Sequence, residues 1–114
     1  MKNKPQSIAV NKALARLGQN INIARRKRRM SLADFASRMR MSQGTVIRLE
    51  KGEPGVSIQA MAMALLALGE IRRLHDLLDI STDDTGLLFD MEALPKRIRR
   101  AKGQTGPGEI GIAP

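Results

Sequence analysis

Short helices that begin at serine residues are the feature of this sequence that most limits its fold. Ser31, Ser42 and Ser57 each stand directly before a short segment whose apolar residues recur three or four positions apart. Serine favours the position before a helix because its hydroxyl accepts a hydrogen bond from an amide of the first turn. Asp34 follows Ser31 at the spacing of a reciprocal capping box. The sequence therefore predicts an all-α bundle of short helices joined by brief loops.

Five helices are expected, over about 13–29, 31–40, 42–52, 57–68 and 70–79. Gly52, followed by Pro54, marks the end of the third helix. Apolar residues at helical spacing predict the shared core of the bundle. The residues expected to face it are Leu14, Leu17, Ile21, Ala24, Leu32, Phe35, Ala36, Met39, Val46, Leu49, Ile58, Met61, Ala62, Leu65, Leu68, Ile71, Leu74 and Leu78.

The composition of the segments outside the predicted helices divides the rest of the chain into three further parts. The polar, proline-containing start of the chain is expected to form a loose arm over 1–12, before a folded domain over 13–80. A flexible C-terminal extension follows, of which 81–102 is expected to serve dimerisation or partner binding. Four glycines and two prolines among the last twelve residues predict disorder over 103–114.

Composition argues against several classes of function. The chain has no cysteine, which excludes disulfides, thiolate metal sites and cysteine nucleophiles. His75 is the single histidine and belongs to no catalytic or metal-binding motif, so helix packing or exposure is its expected role. We therefore expect no enzyme activity, no cofactor and no metal ion. The longest apolar run, near 61–68, is too short to span a bilayer and no signal peptide is apparent, which favours a cytoplasmic protein.

Charge is distributed unevenly along the chain, whose net charge is +9. Residues 1–56 carry 13 basic and 3 acidic side chains, whereas residues 57–95 carry 2 basic and 7 acidic ones. Residues 96–114 are basic again, with 5 against 1. A basic half joined to an acidic middle is typical of a nucleic-acid-binding face backed by a second surface. A basic protein without such a face is the alternative that charge leaves open.

The segment Met30–Gly52 resembles the helix-turn-helix of the Xre, or phage-repressor-like, family of transcriptional regulators. The resemblance covers about Leu17–Asp79. Its most specific part is the pattern Ser-x-x-Thr-x-x-x-Leu-Glu-x-Gly, which begins at Ser42 and ends at Gly52. This resemblance implies a lambda-repressor-like fold and sequence-specific binding of double-stranded DNA by the third helix. It would make the chain a nucleoid-associated protein of the cytoplasm.

The outward face of the third helix holds the candidate base-reading residues, which are Gln43, Gly44, Ile47 and Arg48. The resemblance places Gln43 and Arg48 at base-reading positions, where glutamine suits adenine and arginine suits guanine. Gly44 replaces a side chain that often reads bases and allows only backbone approach, and Ile47 suits a thymine methyl group. The candidate phosphate contacts are Ser31, Ser42, Thr45, Lys51 and Arg28. The alternative is an ordinary solvated helix with two capping hydroxyls.

The resemblance also implies a structural ion pair between Arg25, late in the first helix, and Glu50, near the end of the third. Such a pair would hold the angle between the two helices. Two exposed charges are the alternative. Arg29 and Arg40 stand where the family often has glycine at helix ends, so we expect left-handed backbone conformations there at some energetic cost.

The stretch after Asp79 resembles the C-terminal part of HipB-like antitoxins. It contains an apolar patch of Leu87, Leu88 and Phe89, then Pro95 and a basic run. The resemblance implies a homodimer that represses its own operon at a palindromic operator and binds a HipA-like kinase toxin. The alternatives are a tail folded onto the domain, a stand-alone Xre-type repressor without a toxin, and an interaction or RNA-binding protein that binds nucleic acid nonspecifically.

Overall fold

A computed structural model describes residues 7–83, 85–86 and 94–99. In these ranges all regular secondary structure is helical, which confirms the expected all-α class. The α-helices are α1 (Ile8–Lys27), α2 (Leu32–Met39), α3 (Gln43–Lys51), α4 (Ile58–Leu68) and α5 (Ile71–His75), followed by a 3-10 turn at Ile80–Thr82. Among the helices described, none has both the length and the apolar composition that crossing a bilayer requires.

Serine hydroxyls begin the first four helices. The Oγ atoms of Ser7, Ser31, Ser42 and Ser57 accept hydrogen bonds of 3.2, 3.0, 3.1 and 3.0 Å from the amide three residues later. Because Ser7 caps α1, the helix begins at Ile8 rather than near residue 13, where the sequence pattern placed its start. The predicted arm over 1–12 is therefore wrong for residues 8–12, which are helical.

The core lies where α2 and α3 pack against each other and against α1 and α4. Phe35, Met39 and Val46 are its largest fully buried side chains. Helix α3 contacts three neighbouring helices, α1, α2 and α4, and contributes Val46 and Leu49 to the core. Its inner face is therefore fixed by packing on several sides.

Helix α4 faces the core differently from the sequence expectation. Ile58 was expected to be buried and is 76% exposed, whereas Ala60 and Ala64 are buried together with Leu68. Nearly every residue of α4 is apolar, so apolar spacing alone did not distinguish one face of the helix from another. The small alanines permit close packing between helices, and α4 contacts both α2 and α5.

Helix α5 is shorter than expected. It ends at His75 rather than near Asp79, and none of its residues is fully buried. Leu78, which was expected to be buried, is 81% exposed and has a left-handed backbone with φ of 56°. Residues 76–78 form a turn instead of continuing the helix, whereas Ile71 and Leu74 within α5 are half-buried.

The chain forms two compact units, Met1–Leu77 and Leu78–Pro114. All five α-helices belong to the first unit. In the second unit, the Oδ1 atom of Asp79 accepts hydrogen bonds from the Ser81 hydroxyl at 2.7 Å and the Ser81 amide at 2.8 Å. These bonds hold the pKa of Asp79 below its ordinary value.

Candidate nucleic-acid interface

Helix α3 presents one face to solvent while the opposite face is packed. Val46 and Leu49 are buried, whereas Gln43, Ile47, Arg48 and Lys51 are exposed. The helix has nine residues and is therefore about 14 Å long. Its solvent-exposed face therefore carries one amide side chain, one apolar side chain and two cationic side chains.

Gly18 of α1 lets the first helix approach the end of α3 backbone to backbone. A Cβ atom at this position would lie 2.5 Å from the Glu50 carbonyl oxygen and 2.7 Å from the Gly52 nitrogen. Gly52 itself ends α3 with a φ of 75° and lies against the Leu14 carbonyl of α1. Sequence reasoning missed Gly18, although an isolated glycine inside a helical pattern signals close packing.

A buried ion pair joins the same two helices. Arg25 Nε donates to Glu50 Oε2 at 2.7 Å, and Arg25 Nη2 donates to Glu50 Oε1 at 3.1 Å. The side chains are 10% and 7% exposed, respectively. Asn22 Nδ2 adds a bond of 2.8 Å to Glu50 Oε1, and Arg25 Nη1 donates to the Met30 carbonyl at 2.9 Å. The structure thus surrounds both charges with partners, two of which, Asn22 and Met30, the sequence did not indicate.

This ion pair also determines the charge of the exposed face of α3. Glu50 is the one acidic residue in the sequence of α3, and its carboxylate is turned inward onto Arg25. Arg48 and Lys51 remain exposed on the outside. The solvent-facing side of α3 therefore carries positive charge with no carboxylate from the helix itself.

The N-terminal end of α3 brings three predicted site residues together. Ser42 Oγ lies 3.0 Å from Thr45 Oγ1, and Arg48 Nη2 donates to Thr45 Oγ1 at 3.2 Å. Arg48 Nη1 lies 3.5 Å from where a Cβ atom of Gly44 would be. The guanidinium therefore folds back along the helix, over Gly44 and towards Ser42.

Ser31 begins α2 in a complete capping box. Its hydroxyl accepts from the Asp34 amide at 3.0 Å, and its own amide donates to Asp34 Oδ2 at 3.3 Å. The capping box that the sequence predicts is confirmed. Because this amide is occupied and a carboxylate lies beside it, the start of α2 is a poor position for a phosphate.

Arg28 has an intramolecular role that the sequence did not predict. Its Nε donates to the Leu68 carbonyl at the end of α4 at 3.1 Å, and its Nη1 donates to the Ala24 carbonyl at 2.9 Å. Its Nη2 lies 3.6 Å from Glu70 Oε2. The side chain thus connects α1 to the end of α4, and its predicted phosphate contact would compete with these partners.

Arginines with left-handed backbones follow both helices that precede turns near the site. Arg29 has a φ of 58° and Arg40 a φ of 59°, so both adopt the left-handed conformation expected for them. Arg40 closes α2, and its amide donates to the Ser37 carbonyl at 3.1 Å. Only residues 40–42 separate α2 from α3. The tight connection therefore depends on a conformation that non-glycine residues rarely adopt.

The predicted dimer or partner residues Leu87, Leu88 and Phe89 lie outside the described residues. No protein-family model, curated protein or solved structure matches the chain. What the chain does is therefore inferred from the chemistry of its own residues.

Proposed function

We propose that this chain is a sequence-specific DNA-binding protein in which α2 and α3 form a helix-turn-helix and α3 enters the major groove. One observation carries the proposal. The packed side of α3 takes up the helix's only carboxylate through Arg25, and its free side displays Gln43, Ile47, Arg48 and Lys51. This division favours a DNA-facing role, because an exposed carboxylate would weaken the attraction of the helix to phosphates.

The dimensions and side chains of α3 suit direct reading of base edges. The major groove of B-DNA is about 12 Å wide and admits one α-helix. Gln43 has the donor and acceptor that match adenine, and Arg48 has the paired donors that match guanine. Ile47, 40% exposed although apolar, suits the methyl group of thymine. In this proposal these three side chains supply the sequence preference.

Phosphate contacts would hold α3 in register on the duplex. Lys51 at the end of the helix and Ser42 at its start are exposed and flank the base-reading residues. We assign Arg28 and Ser31 no main part here, because the Arg28 guanidinium bonds within the chain and the Ser31 amide donates to the Asp34 carboxylate, which would repel a phosphate. The excess of basic residues over 1–56 would add attraction that does not depend on sequence.

We further propose that the chain acts as a dimeric repressor. A single helix of this size contacts few base pairs, so tight operator binding requires two copies on half-sites about one helical turn apart. Leu78 and Ile80 are 81% and 61% exposed and offer apolar surface outside the core. Pairing with a HipA-like kinase toxin stays a prediction, since it depends on residues 87–89, and a stand-alone repressor is the alternative.

The proposal is tested by selecting duplexes that bind the full chain from a random-sequence library. We expect enrichment of a palindromic sequence whose half-sites are about one helical turn apart. Binding to the selected duplex should exceed binding to an equally long random duplex by about 10³-fold or more. Equal affinity for both duplexes, with the same dependence on salt, would support nonspecific nucleic-acid binding and contradict the proposal.

A further inference from the structure

The Arg48 side chain is held against the first turn of α3. Its side chain turns towards the N-terminus of α3, and Nη2 donates to Thr45 Oγ1 at 3.2 Å. The threonine hydroxyl is itself 3.0 Å from Ser42 Oγ, and Ser42 is tied to the backbone by the 3.1 Å bond from the Thr45 amide. An exposed arginine is thus connected through two hydroxyls to the rigid cap of the helix.

Gly44 provides the space into which the guanidinium folds. The position of an added Cβ atom at Gly44 is 3.5 Å from Arg48 Nη1, which is ordinary van der Waals contact. An alanine would therefore fit beside the guanidinium, whereas the branched end of a leucine would compete for the same space. The sequence indicates that Gly44 allows backbone approach to DNA. In the structure, the absence of a side chain at Gly44 leaves room for the Arg48 guanidinium.

We infer that Thr45 and Gly44 are positioning residues that hold the Arg48 guanidinium ready to read a guanine. The inference rests on the proposed DNA-binding function. The Thr45 bond uses one of the five guanidinium N–H groups, so paired donors remain for guanine O6 and N7. Fixing a long side chain before binding reduces the entropy that is lost when the contact forms. In this arrangement Thr45 acts through Arg48, whereas its sequence-based assignment was a direct phosphate contact.

The free protein gives the first test, by NMR relaxation of the Arg48 Nε–Hε group. Thr45→Val removes the hydroxyl and keeps the shape of the side chain, and Thr45→Ser keeps the hydroxyl. We expect the Arg48 side chain to become more mobile in Thr45→Val and in Gly44→Leu, and to stay ordered in Thr45→Ser and Gly44→Ala. Equal Arg48 mobility in all four variants and the wild type would overturn the inference without reference to DNA.

The second test measures discrimination of the full chain between its selected duplex and duplexes in which one G·C pair is replaced by A·T. Arg48→Ala identifies the pair that Arg48 reads. At that pair, Thr45→Val should reduce discrimination about threefold to tenfold, as loss of one hydrogen bond implies, and Thr45→Ser should restore it. Combining Thr45→Val with Arg48→Ala should cause no further loss of discrimination.

Failure of the positioning role of Thr45 and failure of base reading by Arg48 would give different binding results. If Arg48→Ala alters discrimination and Thr45→Val instead weakens binding to all duplexes alike, Thr45 contacts phosphate and the positioning role is wrong. If Arg48→Ala alters discrimination nowhere, base reading by Arg48 is wrong, and the positioning inference falls with it.

Discussion

Arg25 of α1 donates two hydrogen bonds to the carboxylate of Glu50 in α3, at 2.7 and 3.1 Å. The pair is almost fully enclosed, and Asn22 and the Met30 carbonyl complete its hydrogen bonding. Two consequences follow from one contact. It joins the end of the candidate DNA-facing helix to α1, and it removes the negative charge of Glu50 from the surface that would meet DNA.

Removing one partner of this pair should destabilise the fold. Glu50→Ala would leave the Arg25 charge enclosed, with the Met30 carbonyl still accepting a hydrogen bond from it but no carboxylate beside it. We expect the free energy of unfolding in urea to fall by about 3 to 5 kcal/mol. The matched control is Glu70→Ala, because Glu70 pairs with Arg28 at 3.6 Å and its side chain is 39% exposed. That variant should lose less than about 1 kcal/mol. Similar losses in both variants would show that burial of the pair does not matter.

Gly18→Ala tests the close approach of α1 to α3. Alanine ordinarily stabilises a helix relative to glycine, but here its Cβ would lie 2.5 Å from the Glu50 carbonyl oxygen. We expect the free energy of unfolding to fall by roughly 1 to 3 kcal/mol as the helices separate. Gly55→Ala, where no atom lies within 4 Å of the added Cβ, should be neutral or raise stability by up to about 1 kcal/mol. A stabilising Gly18→Ala would refute the predicted clash.

Arg40→Gly tests the left-handed residue that closes α2. Glycine adopts a φ of 59° without the strain that Arg40 carries, so the melting temperature should rise, by the equivalent of about 1 kcal/mol. The same substitution at Arg16, an exposed position inside α1, should lower stability by about 1 kcal/mol. Thermal unfolding of the two variants should thus shift in opposite directions, and shifts of the same sign would contradict the backbone conformation at Arg40.

Ile80→Asp tests the proposed dimer. Ile80 is 61% exposed, so its replacement should not unfold the helical core but should place a charge in an apolar interface. We expect the wild type to sediment as a dimer at micromolar concentration and Ile80→Asp as a monomer. Ile58→Asp, the same change at an isoleucine that is 76% exposed on α4, should leave the dimer intact. A wild type that sediments as a monomer with and without DNA would rule out the dimer.

The helices that the sequence predicts best are α2 and α3. Both are amphipathic and begin at capping serines, so spacing and caps indicated their limits and their buried residues Phe35, Met39, Val46 and Leu49. Helix α4 lacks a polar face, so the spacing of its apolar residues could not show that Ile58 lies on the exposed side. Helix α5 ends at His75 and the chain turns over 76–78, where Leu78 adopts a left-handed conformation that no local sequence signal indicates for leucine.

The candidate site was predictable to a similar extent. Its residue types and the Arg25–Glu50 pairing came from the resemblance, but the partners that complete this pair depend on tertiary packing. Arg28 stood among five consecutive basic residues, and only the folded chain shows that it bonds to the end of α4. The folding of Arg48 over Gly44 likewise depends on a rotamer that sequence spacing does not specify.

Paired substitutions on α3 test the central claim most directly, with binding of the full chain measured on its selected duplex and on a random duplex. Arg48→Ala should weaken binding to the selected duplex by about 1 to 3 kcal/mol and relax the preference at one base pair per half-site. Lys51→Ala should weaken binding to both duplexes alike and lower the salt dependence by about one counterion per copy. Arg72→Ala, at an exposed arginine on α5, is the control and should change neither. Equal losses on both duplexes for Arg48→Ala, or no loss for any α3 variant, would contradict sequence-specific reading of DNA by this helix.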